Sequence, residues 1–172
     1  FTSWWQPPTW PNQVFVFSND ARTVQHGPSQ SGSWHHAKAP TPTDALVPRY
    51  FELLIDEVVG GFSQSFCIGV APQGTDTGWW TGRAGESGRV QYSSYGSRPI
   101  GGGNSTPYGS QFGKGDFVGC SVEPAGANPV VRFWKNGNDQ GPVVVATPPA
   151  SKWEPQITIY DNLAEEMKKL TF

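Results

Sequence analysis

Apolar and polar side chains alternate in short runs along this chain, and the runs stop at Gly, Pro, Asn or Asp. In Phe117-Val118-Gly119-Cys120-Ser121-Val122 one parity (Val118, Cys120, Val122) is apolar and the other (Phe117, Gly119, Ser121) is mixed. That is the period of a half-buried strand and not of a helix. The same pattern predicts strands over 13–17, 49–57, 65–71, 89–95, 116–123, 129–135, 141–146 and 156–160.

Turn chemistry fills the gaps. Asn136-Gly137 is the two-residue signal of a type I′ hairpin, because both central positions want positive φ, and Gly60-Gly61 breaks a second hairpin. The Gly/Ser/Pro-rich segment 97–110 is too long for a turn and is expected to drape over a surface. Residues 161–172 carry two readings. Leu163, Met167 and Leu170 stand at helical spacing behind an Asp or Asn cap, while Met167–Phe172 can equally close a sheet. Gly69 and Gly119 remove side chains inside strands, which predicts bends or a close neighbouring strand.

Gly113-Lys114-Gly115-Asp116 could be taken for a phosphate cradle. Such a loop needs a glycine five positions before its Gly-Lys, then Ser or Thr and a helix, so that a row of amides can hold the anion. Here those positions are Tyr108 and Gly115, and a strand follows. The segment reads as a turn into that strand.

Composition extends the same picture. The chain has 172 residues, enough for a single domain over 1–172 that can bury roughly 70% of its extended surface. Its 21 Gly, 16 Pro, 8 Trp, 10 Phe and 5 Tyr supply the turns and bulky side chains of an all-β protein. With 12 basic and 14 acidic side chains there is no basic field for nucleic acid and no polybasic membrane anchor. No apolar run approaches the ~18 residues of a membrane span. Residue 1 is Phe and not Met, so the chain reads as an excised or mature fragment whose targeting signal would lie outside it.

Cys67 and Cys120 sit inside apolar strand patterns and are expected as reduced, buried thiols of a cytoplasmic (intracellular) protein. Asn104-Ser105-Thr106 matches a glycosylation sequon only formally.

Candidate chemistry is sparse. His26, His35 and His36 have neither zinc-ligand nor triad spacing, and His35-His36 reads as a solvated loop pair. A sandwich-fold glycoside hydrolase would need two carboxylates across a Trp-lined cleft. Glu52 and Glu123 are the conceivable pair, although Glu52 reads better as a structural hydrogen-bonding residue. The eight Trp also raise a lectin-like, carbohydrate-binding sandwich, with aromatic faces stacked on sugar rings. Trp4, Trp5 and Trp10 lie in a Pro-rich extension, 1–12, expected to pack on the sandwich. No cofactor and no metal site is expected.

Six stretches in order carry a resemblance: "RYFELLI" at 49–55, "CIGVAP" at 67–72, "GWW" at 78–80, "YGSQFGKGDFVGCSVE" at 108–123, "VRFWKNGNDQG" at 131–141 and "WEPQITI" at 153–159. Between about residues 50 and 159 the sequence resembles a SPRY domain (B30.2/SPRY family).

The resemblance implies a bent β-sandwich of two antiparallel sheets, concanavalin-like, with first and last strands close together and Met167–Phe172 as a strand. It makes the Gly-Lys-Gly-Asp segment a structural turn. It further implies a non-catalytic protein–protein interaction module, a monomeric adaptor domain within a larger protein, which recognises a peptide or folded epitope through loops on a rigid scaffold.

The loops that bind peptides in such domains correspond to 26–31, 73–77 and 160–162, so Gln73, Asp76, Tyr160, Asp161 and Asn162 are the candidate ligand contacts. Trp80 faces away from Trp79 along a strand. It is either exposed or covered by 97–110, and with Arg83 and Arg98 nearby it forms a second candidate surface of hot-spot residue types.

Overall fold

The computed structural model describes residues 15–18, 23–26, 33–38, 43–44, 49–58, 66–73, 89–101, 104–125, 129–144, 152–161 and 168–171. Among them every regular element is a strand: β1 (Phe15–Ser18), β2 (Thr23–His26), β3 (Ser33–Lys38), β4 (Thr43–Asp44), β5 (Arg49–Val58), β6 (Phe66–Pro72) and β7 (Val90–Ser93) in the first half. The second half holds β8 (Ser97–Gly101), β9 (Asn104–Pro107), β10 (Phe117–Glu123), β11 (Val130–Lys135), β12 (Asn138–Val144), β13 (Lys152–Asp161) and β14 (Lys168–Thr171).

These strands form an antiparallel sandwich. A seven-stranded sheet runs β1-β2-β14-β5-β10-β11-β12 and faces a five-stranded sheet, β3-β13-β6-β7 with β4 also on β13. The alternation explains the packing. Phe51, Leu53 and Ile55 of β5, Val118, Cys120 and Val122 of β10, and Val131 and Phe133 of β11 point inward from the larger sheet. They meet Phe66, Ile68 and Val70 of β6, Tyr92 of β7, and Trp153, Ile157 and Ile159 of β13.

An aromatic cluster bridges the sheets. Tyr92 lies 5.5 Å from Phe133 and 4.8 Å from Phe112, and Tyr108 lies 5.8 Å from Phe133, centroid to centroid. Tyr108 also donates to the carbonyl of Gly141, and Tyr92 to that of Ser110, so the chain after β9 is held against the sandwich wall.

Several expectations change. Of the two readings of 161–172, the closing strand holds: β14 sits between β2 and β5. Residues 97–110 are not a structureless drape, since β8 and β9 pair as a two-stranded ribbon from Ser97↔Pro107 to Gly101↔Asn104. Pro fits there because a ribbon of two strands consists only of edges. His35 and His36 are not a loop pair either; they lie on β3, and His36 is buried with Nδ1 2.8 Å from Thr158 Oγ1. Residues 60–61 and the extension 1–12 fall outside the described residues.

Both thiols are free and buried, on different faces. Cys120 belongs to the core cluster. Cys67, paired with Thr158 and Ser93, sits on the opposite face of its sheet. Burial pushes the Cys67 thiol up to about 12 and raises Cys120 as well. Reactivity requires the thiolate, so labelling in native buffer at pH 8 should be slow at both positions and fast in denaturant. Fast native labelling would contradict their placement.

Candidate binding surface

Strand direction decides which loops share an end of the sandwich. β13 runs from Trp153 opposite Pro72 to Ile159 opposite Phe66, and its last residue, Asp161, pairs with Ser33. The starts of β3 and β6 and the end of β7 therefore gather where β13 finishes. Ser94 N–H donates to Phe66 O there at 2.9 Å. The seven-stranded sheet brings the end of β5, the start of β10 and the β11–β12 hairpin to the same end, as the bonds from Phe112 N–H to Ser94 O and from Gly115 N–H to Ile55 O show.

Two tight turns make a rigid platform at this end. Asp116 N–H donates to Gly113 O at 3.0 Å, with Gly115 at φ 86°, which is a type II turn with Gly at its third position. Asn136 and Gly137, at φ 50° and 77°, close the β11–β12 hairpin as type I′. Asp116 ties the turns together: it accepts from Gly113 N–H at 2.9 Å and Asn136 Nδ2 at 2.7 Å, and Lys135 Nζ stands 3.4 Å away. Burial alone would raise this carboxyl, but the Gly113 amide, Asn136 and Lys135 outweigh it and hold it below the usual range. The amides of Gly113, Gly115 and Asp116 are all spent on protein acceptors. The turn therefore has no row of donors for a phosphate, and Lys114 is simply exposed.

The expected contacts do not all come together. Tyr160 and Asp161, opposite Trp34 and Ser33, lie at the end just described. Gln73 is exposed and donates its N–H to Lys152 O at 2.9 Å, at the other end of β13. Nine residue steps at about 3.3 Å separate Lys152 from Asp161, roughly 30 Å. One ligand epitope cannot be built from Gln73 together with Tyr160 unless it spans the sheet. Asp76, Trp80, Arg83 and Asn162 lie outside the described residues, as does most of the loop begun by Gln73.

A surface not anticipated from the sequence lies on the outer face of the seven-stranded sheet. Phe117 is 46% exposed and faces Leu54 across the β10–β5 ladder; Tyr50 is 55% exposed. The Tyr50 ring covers Gly119, where an added Cβ would come within 2.7 Å of ring carbons, and it meets Trp134 edge to face at 5.4 Å. Its hydroxyl donates to Glu52 Oε1 at 2.8 Å. Partial burial and the Glu52 carboxylate raise this phenol, so it remains a donor at neutral pH. The signal was available in the parity of β10, whose mixed face begins with an aromatic and continues with Gly.

The carboxylates considered for hydrolysis also lie on that face. Glu52 stands level with Gly119, four residues along β10 from Glu123, or about 13 Å. Glu52 is held by Tyr50, while Glu123 accepts from Ser121 Oγ at 3.0 Å and from Arg132 Nε at 3.2 Å.

On the smaller sheet, buried Thr158 Oγ1 accepts from Gln91 Nε2 at 2.6 Å and is hydrogen-bonded to His36 Nδ1, which links three strands through polar side chains. Among the described residues no group of three or more His, Cys, Asp or Glu could hold a metal ion, and no helix is long and apolar enough to cross a membrane.

Solved structures supply the comparison. The chain is similar to a human SPRY domain, with 24% identity and a TM-score of 0.69 over 91% of this chain and 94% of that one. It is likewise similar to the SPRY domain of human HERC1, with 20% identity and a TM-score of 0.66 over 92% and 91% of the two chains. Stonustoxin matches at 11% identity with a TM-score of 0.56, over 91% of this chain and 25% of its own. No protein-family model matches the sequence, and no curated protein matches it. The architecture is the SPRY-domain β-sandwich.

Proposed function

We propose that this chain is a non-catalytic protein-interaction module, working inside a larger intracellular protein, which recognises a peptide or folded epitope at the end of the sandwich where β13 finishes. The observation that carries the reading is the SPRY-type sandwich with two cross-braced turns at that end. Binding loops gain affinity when their scaffold needs no ordering on contact, and the Asp116–Asn136–Lys135 network supplies such a scaffold. Two of the three candidate segments, 26–31 and 160–162, begin at this end. Gln73 stands apart and is not part of the proposed epitope.

Panning the domain against a displayed peptide library, with a glycan array in parallel, tests the class of ligand. Enrichment of a peptide consensus with an empty glycan array is the expected result. Saturable binding to glycans with no peptide enrichment would replace the reading with a lectin-like one.

A further inference from the structure

Three rows of side chains cross the outer face of the seven-stranded sheet in register. The first pairs Leu54 with Phe117. The second runs Glu52, Gly119, Trp134, Asp139, and the third Tyr50, Ser121, Arg132, Pro142. In the middle row a carboxylate therefore stands at each side of an aromatic strip made by Tyr50 lying over Gly119 and by Trp134. The strip is preformed: Glu52 fixes the Tyr50 hydroxyl, and Arg132 is anchored between Glu123 at 3.2 Å and Asp139 at 2.9 Å.

Charge on this face is unbalanced. Within the three rows Glu52 and Asp139 are the two carboxylates and Arg132 is the one cation; Glu123, one row further along β10, adds a third carboxylate beside Arg132. Exposed aromatic side chains beside excess negative charge favour guanidinium and ammonium groups, which stack on the rings while pairing with the carboxylates. Large exposed aromatics grouped together also mark contact surfaces more often than bare solvent-facing sheet.

From this juxtaposition we infer a second docking surface, for an extended segment of a partner protein that carries two Arg or Lys residues flanking an apolar side chain. Its spacing follows from the sheet. Glu52 and Asp139 are three inter-strand steps of about 4.8 Å apart, roughly 14 Å. An extended chain covers that distance in four residues at about 3.3–3.6 Å each. Cations at positions i and i+4 with an apolar residue at i+2 would place all three side chains on one face, over Glu52, the Tyr50–Trp134 strip and Asp139. This inference does not rest on the loop-end reading and would survive its failure.

The test is an NMR titration of the 15N-labelled domain with a capped synthetic peptide, Arg-Ser-Leu-Ser-Arg, and its Glu-Ser-Leu-Ser-Glu counterpart. The basic peptide should shift the amides of Glu52, Leu54 and 117–121 and the Trp134 indole, and the shifts should weaken in salt; the acidic peptide should leave them in place. Y50S and F117S, both changes of exposed side chains, should each weaken binding about tenfold or more. G119A should act in the same direction by lifting the Tyr50 ring without removing it, and E52K should lower affinity for the basic peptide. Shifts confined to other surfaces, equal binding of both peptides, or unchanged binding by Y50S and F117S would overturn the inference. So would a wild-type dimer that F117S converts to monomer, because the occupant would then be a second copy of this chain.

Discussion

Gly69→Ala should cost the domain about 3 kcal/mol or more, a large penalty for one methyl group. A Cβ at Gly69 would collide with the carbonyl oxygen of Val90 and come within 2.8 Å of Gln91 Cα. Both are backbone atoms of the neighbouring strand, so no side chain can rotate away. β6 and β7 would have to separate along the ladder that joins Cys67–Ser93 to Val70–Val90. At about 2–4 °C per kcal/mol for a domain of this size, the melting temperature should fall by at least 6 °C or so. Hydrogen exchange should accelerate first at 90–93. A variant that melts within a degree of wild type would show that β6 and β7 are not packed this closely.

Phe133→Ala should be larger still. Phe133 is fully buried, points inward from β11 and touches the rings of Tyr92 and Tyr108, so it joins both sheets and the segment after β9. Removing a buried Phe costs about 3–5 kcal/mol through lost burial and the cavity left behind. That is a substantial part of a typical domain stability of about 5–15 kcal/mol, and a melting temperature lower by roughly 6–20 °C is expected. Phe133→Leu, which keeps most of the volume, should lose well under half as much. Equal losses for the two variants would place the ring outside the core.

Strands with one wet and one dry face, such as β5, β10 and β11, could be read from their alternation, while β6 and β7, buried on both faces, could be read from their apolar and aromatic side chains. β5, β10 and β11 alternate because their outer sides meet water, and the parity of Val118, Cys120 and Val122 named the core side correctly. β3 was invisible for the opposite reason. His36 is polar yet buried, and the matching face of β13, with Gln156 and Thr158, is polar and buried too. Polar residues inside a fold give no hydrophobic period. β8 and β9 are built from Ser, Arg, Pro, Gly, Asn and Thr with Ile100 as the one large aliphatic side chain, and carry almost no apolar period of their own.

The candidate site was legible only as a set of loops. Which loops meet is fixed by strand pairings between residues far apart in the chain, such as Asp161 with Ser33 and Trp153 with Pro72. No local pattern states those directions, so Gln73 and Tyr160 could be grouped in sequence and still stand at opposite ends of β13. The aromatic outer face was missed for a related reason, since Tyr50, Phe117 and Trp134 converge only through the β5–β10–β11 registers.

Calorimetric titration of a peptide selected on the wild-type domain, repeated with two double variants, addresses the interaction role directly. Tyr160→Ala with Asn162→Ala alters the end where β13 finishes; Gln73→Ala with Asp76→Ala alters the loop that leaves from the other end. Both variants are expected to melt within a few degrees of wild type. The first pair should weaken binding by about tenfold or more, and the second should leave it unchanged. Wild-type affinity in the Tyr160/Asn162 variant, with the fold intact by circular dichroism, would contradict recognition at this end.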